Sequence, residues 1–188
     1  MTTAAKEAKE KRIIHLNGKI DEESVKTVVQ SLIDLEEESP MSDILLYIDS
    51  YGGECYSLLA IHDAIKMCRC DVATICVGKA MSAAQMILMS GTKGKRFITP
   101  NSCVLMHSVS TGFYGNIHEM DNEVKATKEL QKQLESLIKK YTNLGNKQIK
   151  DLMSKDSYIT AKEALKMGIV DHIIDKPNDL HARINTRR

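Results

Sequence analysis

Two short, nearly continuous apolar runs constrain the fold most strongly. Each run is followed by glycine and then by a segment of helical periodicity. The first, DILLYID (residues 43–49), precedes a Gly-Gly pair and an apolar helical pattern over residues 55–68. The second, DVATICV (residues 71–77), precedes Gly78 and the segment SAAQMILMS (residues 82–90). Such runs are typical of strands buried on both faces, as in parallel sheets covered by helices. The sequence therefore predicts an α/β domain with helical crossovers.

The other segments extend this alternation along a chain whose 188 residues suit one domain. Asp21 is the expected N-cap of a helix with apolar residues at a spacing of three and four. Thr160 and Glu163 form a capping box, and Gly168 ends the helix that they begin. Tyr51-Gly52-Gly53 is interpreted as a turn. We predict further strands at residues 12–18, 96–99, 102–107 and 169–174, and helices at residues 117–141, 146–153 and 161–167.

Composition argues against several classes of function. Lys and Arg total 26 and Asp and Glu 25, whereas a nucleic-acid surface usually shows a basic excess. No apolar stretch approaches the roughly 20 residues that cross a membrane, and MTTAAKEAKEKR lacks the apolar core of a signal peptide. The five cysteines are an odd number, and Cys68-x-Cys70 has no second pair at zinc-binding spacing. We therefore predict a cytoplasmic protein without disulfides or a metal site.

Two predicted strand ends carry residues suited to chemistry, namely residues 49–53 (DSYGG) and 78–82 (GKAMS). Ligands of open α/β sheets bind at the carboxyl ends of the strands. Ser82 lies at the predicted start of a helix, where the helix dipole and unpaired N–H groups stabilise negative charge. The same position suits an ordinary N-cap serine, and position alone favours that interpretation.

A nucleophilic serine needs a base, and the base needs an orienting acid. His107 ends a predicted apolar strand and can act as the base, and Asp156 precedes the capped helix and can act as the acid. Lys79 is an alternative base, although a lysine must be desolvated to lose its proton. Each of these residues also suits an ordinary structural role, and spacing alone does not bring them together.

A set of motifs resembles one known family. The run KGKRFITPNS (residues 93–102) lies between GKAMSAA (residues 78–84) and LMHS (residues 105–108). With RIIHLNGKID, DILLYIDSYGG and SKDSYITAKEALKMGIVD, these stretches resemble the ClpP family, the proteolytic subunits of the Clp protease, from about residue 12 to 174. The resemblance implies a crotonase-like α/β fold of repeated β-β-α units with a protruding handle helix. It divides the chain into a charged N-terminal arm (1–11), a peptidase domain (12–175, handle about 117–141) and a C-terminal tail (176–188).

The resemblance also implies a role for each candidate site residue. Ser82 corresponds to the nucleophile, His107 to the general base and Asp156 to its orienting acid. The backbone N–H groups of Gly53 and Ala83 correspond to the oxyanion hole. The implied activity is that of a serine endopeptidase subunit in a chambered protease that hydrolyses unfolded proteins or peptides, with no cofactor in this chain.

The implied partners are other copies of this chain and an ATP-driven unfoldase. Relatives form two stacked seven-membered rings, fed by a AAA+ unfoldase such as ClpX, ClpA or ClpC, which uses the ATP. The helix at residues 117–141 has few apolar positions, so we predict that its stripe packs partly on another subunit. The stripe consists of Val124, Leu130, Leu134, Leu137 and Ile138. No nucleic acid or membrane is implied.

Two of the chain's departures from the family bear on its unfoldase partner and its substrate. AKEAKE (residues 5–10) stands where relatives carry an axial-loop motif that docks the unfoldase. After His107, Ser108-Val109 replaces the usual Gln-Pro in a segment that borders the substrate groove. A divergent paralogue, or a homologue encoded by a phage or plasmid, fits these departures.

Two other functions remain open at this point. A non-catalytic or regulatory ring subunit, paired with an active paralogue, would share the fold, but all three triad residues are present here. An acyl-CoA hydratase-like enzyme also shares the crotonase fold, and fold alone does not define function. Such an enzyme has no need for serine, histidine and aspartate in this order.

Overall fold

Seven strands form one sheet in the computed structural model, which describes residues 12–184. The strands are β1 (Ile13–Ile20), β2 (Ile44–Gly53), β3 (Val72–Met81), β4 (Arg96–Ile98), β5 (Cys103–Met106), β6 (Ser157–Thr160) and β7 (His172–Ile173). The helices are α1 (Glu22–Glu38), α2 (Cys55–Met67), α3 (Ala83–Met89), α4 (Ile117–Tyr141), α5 (Asn146–Met153), α6 (Ala161–Met167) and α7 (Pro177–His181). The α/β prediction is confirmed. The predicted arm at residues 1–11 lies outside the described residues.

Strand β3 pairs with two different strands along its length, and this change of partner brings the residues of the candidate site together. Strands β1, β2, β3, β4 and β7 are neighbours in that order, and every pair among them is parallel. The first part of β3 pairs with β4, whereas its last part, Lys79–Met81, pairs with β5. Strand β6 then runs antiparallel to β5. The carboxyl ends of β3 and β5 are therefore adjacent, and the start of β6 lies beside the end of β5.

Both faces of the central strands are covered, as their apolar runs predict. Helices α1, α2 and α3 contribute to the larger core on one face. On the other face, Leu180 and Ile184 pack in a second cluster with Phe97 and Ile75. The C-terminal segment interpreted as a tail therefore covers one side of the sheet up to residue 184. Between residues 12 and 184, no helix has the length and apolar character to cross a bilayer.

The predicted caps are present, and the errors lie in short or irregular segments. Asp21 accepts a hydrogen bond from the Ser24 N–H, and Thr160 with Glu163 forms the box that begins α6. The predicted turn at residues 51–53 is instead the last part of β2. Strand β6 was not predicted, because four residues with one partner strand leave little pattern in the sequence. The last predicted strand, residues 169–174, is reduced to the two residues of β7.

A buried ion pair joins β4 to the segments that pack around it. The Arg96 guanidinium donates to both carboxylate oxygens of Asp171, at 2.9 and 2.7 Å, and to the Tyr141 carbonyl at the end of α4 at 2.8 Å. Burial alone would raise the pKa of Asp171, but hydrogen bonds from Arg96 and Lys93 outweigh it and hold this pKa far below its usual value. Two residues of the KGKRFITPNS run, Lys93 and Arg96, thus stabilise the scaffold.

The prediction that the apolar stripe of the long helix α4 packs partly on another subunit is wrong for two of its residues. Leu134 and Ile138, predicted to face another subunit, are buried in the core of their own chain. The exposed apolar residues lie in the first half of the helix, at Ile117, Met120 and Val124. An apolar contact between this helix and a second subunit would therefore use the first half of α4.

Candidate active site

Ser82 occupies a strained turn between β3 and α3. Its φ of 54° and ψ of −122° make it the one non-glycine residue with positive φ in the part of the chain that the structure describes. Although Ser82 has the N-cap position, its hydroxyl makes no hydrogen bond to the helix. Such strain costs about 1–3 kcal/mol and concentrates at functional sites. An N-cap role therefore explains why a serine lies at the start of this helix, but it does not explain why the hydroxyl makes no hydrogen bond to the helix.

The strand pairing brings His107 close to Ser82. The Ser82 N–H donates to the Leu105 carbonyl of β5 at 3.0 Å, and His107 follows that strand directly. Ser82, His107, Gly53 and Ala83 all line one small cavity. The structure thus brings together four of the five residues that the sequence singled out.

Asp156 is near this group but is not joined to it. Met106 pairs with Ser157 across the antiparallel ladder, so His107 and Asp156 flank the same end of the β5–β6 pair. Asp156 is exposed and is not part of the cavity lining. Among residues 12–184, no hydrogen bond joins the side chains of Ser82, His107 and Asp156 to one another. The triad is therefore open in the single chain, and its three roles stay a prediction.

The rest of the cavity lining combines apolar and polar side chains. Leu58, Met86, Leu134 and Met153 contribute to a lining that encloses about 50 Å³. Burial raises the pKa of the Cys55 thiol in the same lining, so this group is neutral at ordinary pH. The segment at residues 108–110 also lines the cavity.

Gly52 is a site residue whose role the sequence did not reveal. Its φ is +97°, and an added Cβ would lie 2.6 Å from the Met81 carbonyl oxygen and 2.8 Å from Ser82 Cβ. Only glycine therefore lets β2 approach the serine turn so closely. The Gly-Gly pair at the end of a strand was the sequence feature that could have indicated this role, but an ordinary turn explains such a pair equally well.

We expect Gly52→Ala to reduce peptide hydrolysis by about 100-fold, the loss typical when a catalytic group is displaced by about 1 Å. The added methyl group has to push against the backbone that positions Ser82. Gly18→Ala is the matched control, because Gly18 has a similar φ of +82° but no atom within 4 Å of an added Cβ. Equal activity losses in the two variants, measured with a fluorogenic peptide, would mean that backbone strain rather than contact with Ser82 matters.

The geometry excludes Lys79 as the base. Its ammonium donates to Asp49 Oδ1 at 2.6 Å and lies 4.4 Å from the centre of the Tyr51 ring. The hydrogen bond to Asp49 raises the pKa of Lys79, which keeps it protonated. Lys79 is also absent from the lining of the Ser82 cavity.

A strained serine at a strand-to-helix turn, sharing a cavity with a histidine, is the arrangement of a serine hydrolase. Comparison with known proteins specifies the class. The family model for Clp protease matches residues 1–177. The ATP-dependent Clp protease proteolytic subunit of Deinococcus radiodurans is 35% identical over 168 residues, which cover 89% of this chain and 82% of that protein.

Two corynebacterial proteins show a comparable similarity to this chain. Proteolytic subunit 2 of Corynebacterium jeikeium and proteolytic subunit 1 of Corynebacterium glutamicum are each 37% identical over 167 residues, covering 88% of this chain and 80% of each relative. The chain belongs to the Clp protease family and is a serine endopeptidase subunit of that family. This membership favours peptide hydrolysis over acyl-CoA hydration, and a non-catalytic ring subunit is not favoured.

Proposed function

We propose that Ser82, His107 and Asp156 are the catalytic triad with which this subunit cleaves unfolded proteins or peptides. The observation that carries the proposal is the strained Ser82, whose hydroxyl does not cap its helix and which shares a cavity with His107. A fluorophosphonate probe tests it directly, because the probe bonds covalently to an activated serine. We expect one labelled peptide, containing Ser82. Labelling elsewhere, or none in an assembled sample, would contradict the proposal.

The proposed reaction follows from the roles of these groups. Neutral His107 takes the Ser82 proton as Ser82 Oγ bonds to the scissile carbonyl carbon, and Asp156 orients the imidazole. The Gly53 and Ala83 N–H groups stabilise the negative oxygen that forms. His107 then protonates the leaving amine as the C–N bond breaks, and water hydrolyses the acyl-enzyme. Only side chains, backbone groups and water take part, so no metal or cofactor is needed in this chain.

Assembly is part of the proposal, because the triad is open in the single chain. Clp proteases form self-oligomeric rings and work with AAA+ unfoldases. We propose two stacked seven-membered rings here, in which neighbouring subunits order the segment that carries Asp156. The exposed apolar residues Ile117, Met120 and Val124 support a subunit contact along α4, since apolar surface of this kind favours association.

We expect Val124→Asp to break the rings and to abolish peptide cleavage, because it would bury a carboxylate without a partner in the subunit contact. Asn122→Asp is the matched control, since it adds the same charge at a polar, exposed position of the same helix. Size-exclusion chromatography with light scattering checks the mass, expected at about 290 kDa, fourteen times 21.0 kDa. A wild-type monomer with full activity would refute both the ring and its link to catalysis. Leu134 is unsuitable for this test because its substitution would disrupt the core.

An unfoldase such as ClpX, ClpA or ClpC is the proposed partner, and the cytoplasm the proposed location. All five cysteines are unpaired in the structure, which suits a reducing compartment. Because AKEAKE (residues 5–10) replaces the docking motif of relatives, we expect weaker stimulation by these standard unfoldases. Degradation of a tagged substrate, assayed with each unfoldase and ATP, measures that stimulation.

A further inference from the structure

Gln85 places a buried amide in the wall of the Ser82 cavity. The residue is 3% exposed and lines that cavity. Among the residues that the structure describes, its Oε1 is the one buried side-chain oxygen or nitrogen without a hydrogen-bond partner. Native proteins rarely leave such an atom unpaired, because burial removes the water that would otherwise bond to it. The unpaired oxygen therefore requires an explanation.

The position of Gln85 in α3 ties it to the nucleophile. It is the third residue of the helix, and its N–H donates to the Ser82 carbonyl at 3.2 Å. Oε1 itself is buried, and because the amide turns about a broad terminal torsion, this oxygen can turn towards the cavity without a change of backbone. A group bound beside Ser82 is thus within reach of this oxygen.

The cavity supplies no donor of its own to this oxygen. The Ser108 hydroxyl already donates to the Met153 carbonyl at 2.6 Å. The neutral Cys55 thiol is a weak donor and has no hydrogen bond to Gln85. The other lining side chains that can donate, Ser82, His107 and Ser110, make no hydrogen bond to Gln85. A ligand that enters the cavity can therefore supply the donor that the lining does not.

We propose that Gln85 Oε1 accepts a hydrogen bond from the substrate side chain that precedes the scissile bond, so that the enzyme prefers glutamine or asparagine there. The inference rests on the proposed function. A peptide carbonyl attacked by Ser82 has its own side chain next to the nucleophile, in this cavity. A neutral amide satisfies Oε1, whereas a lysine ammonium would lose its hydration among Leu58, Met86 and Met153.

Two pairs of peptides of nearly equal shape test this preference. Assembled enzyme is assayed with fluorogenic peptides that differ only at the residue before the scissile bond, Gln against Met and Asn against Leu. We expect the wild type to favour the amide member of each pair in kcat/KM. In Gln85→Met the preference should fall by about tenfold, as expected for the loss of one hydrogen bond between enzyme and substrate. Gln30→Met, the same change at an exposed position of α1, should leave the preference unchanged.

The outcomes separate this inference from the proposed function. If none of the four peptides is cleaved and Ser82 is not labelled by a fluorophosphonate, the proposed function is wrong and the inference fails with it. If peptides are cleaved but the wild type prefers Met and Leu, or Gln85→Met keeps the wild-type preference, the inference alone is wrong. If Gln85→Met does not assemble, the two wild-type ratios decide the question.

Discussion

Replacing Ser82 with alanine is expected to lower peptide hydrolysis by about 10⁶-fold, the loss found when a serine protease loses its nucleophile. The remaining groups, Gly53 and Ala83 among them, can bind substrate but cannot form the acyl-enzyme. Because the Ser82 hydroxyl makes no cap hydrogen bond, its removal should leave the fold and the assembly unchanged. The measurement is kcat/KM on a fluorogenic peptide, with light scattering on the same sample.

Ser110→Ala is the control for this experiment. Ser110 lines the same cavity but is exposed and has no role in the proposed chemistry. We expect its rate to stay within a few-fold of the wild-type rate and its Ser82 to remain reactive towards fluorophosphonate. Turnover in a homogeneous Ser82→Ala sample would refute the assignment of the nucleophile, whatever the control shows.

Replacing Asp171 with alanine is expected to cost about 3–5 kcal/mol of stability, the cost of breaking a buried ion pair by removing one partner. The change leaves the Arg96 guanidinium, whose side chain is 1% exposed, without its carboxylate. Urea denaturation at fixed protein concentration measures the effect, since assembly also contributes to the midpoint.

Two further variants identify the cause of that loss. The double variant Arg96→Met with Asp171→Leu removes both charges, so we expect it to be more stable than Asp171→Ala. Lys19→Ala removes an exposed ion pair with Glu54 and should change the midpoint little, because water already screens that pair. If the double variant were no more stable than the single one, lost packing rather than the unpaired charge would explain the result.

The same carboxylate predicts sensitivity to acid. The pKa of Asp171 is lowered in the folded chain, so its contribution to stability is present above the ordinary aspartate pKa of about 3.9 and is lost as pH falls below it. The urea midpoint of the wild type should therefore fall more steeply from pH 5 to 3 than that of Asp171→Asn. Parallel curves for the two proteins would show that other groups control acid unfolding.

Local patterns predicted the bounds of three helices well. Helices α4, α5 and α6 begin and end where the sequence placed them, because caps such as Asn116 and Thr160 act within one turn. The central strands were recognised because burial on both faces requires continuous apolar runs. The candidate nucleophile and base came from motifs at the ends of such strands, and four of the five predicted site residues line one cavity.

Contacts between distant segments account for the errors. Leu134 was assigned to a subunit contact because its own helix does not show what packs against it, and α3 and α5 bury it. Gly52 was assigned to a turn because its contact with Ser82 joins strands β2 and β3, 30 residues apart in the chain. No sequence pattern identified Gln85 as a site residue, since a glutamine in an apolar helix becomes unusual only when its oxygen lacks a hydrogen-bond partner.

The sequence by itself determined the α/β class, the order of the longer elements and the family, because each follows from periodicity, caps and motifs that act over short spans of chain. Only the tertiary structure decided that the turn at Ser82 is strained, that His107 shares its cavity while Asp156 remains apart, and that the Arg96–Asp171 pair is buried. These properties depend on the division of the sheet at β3, where the last residues of one strand leave β4 and pair with β5. Such pairing is set by packing across the whole domain, and no local pattern encodes it.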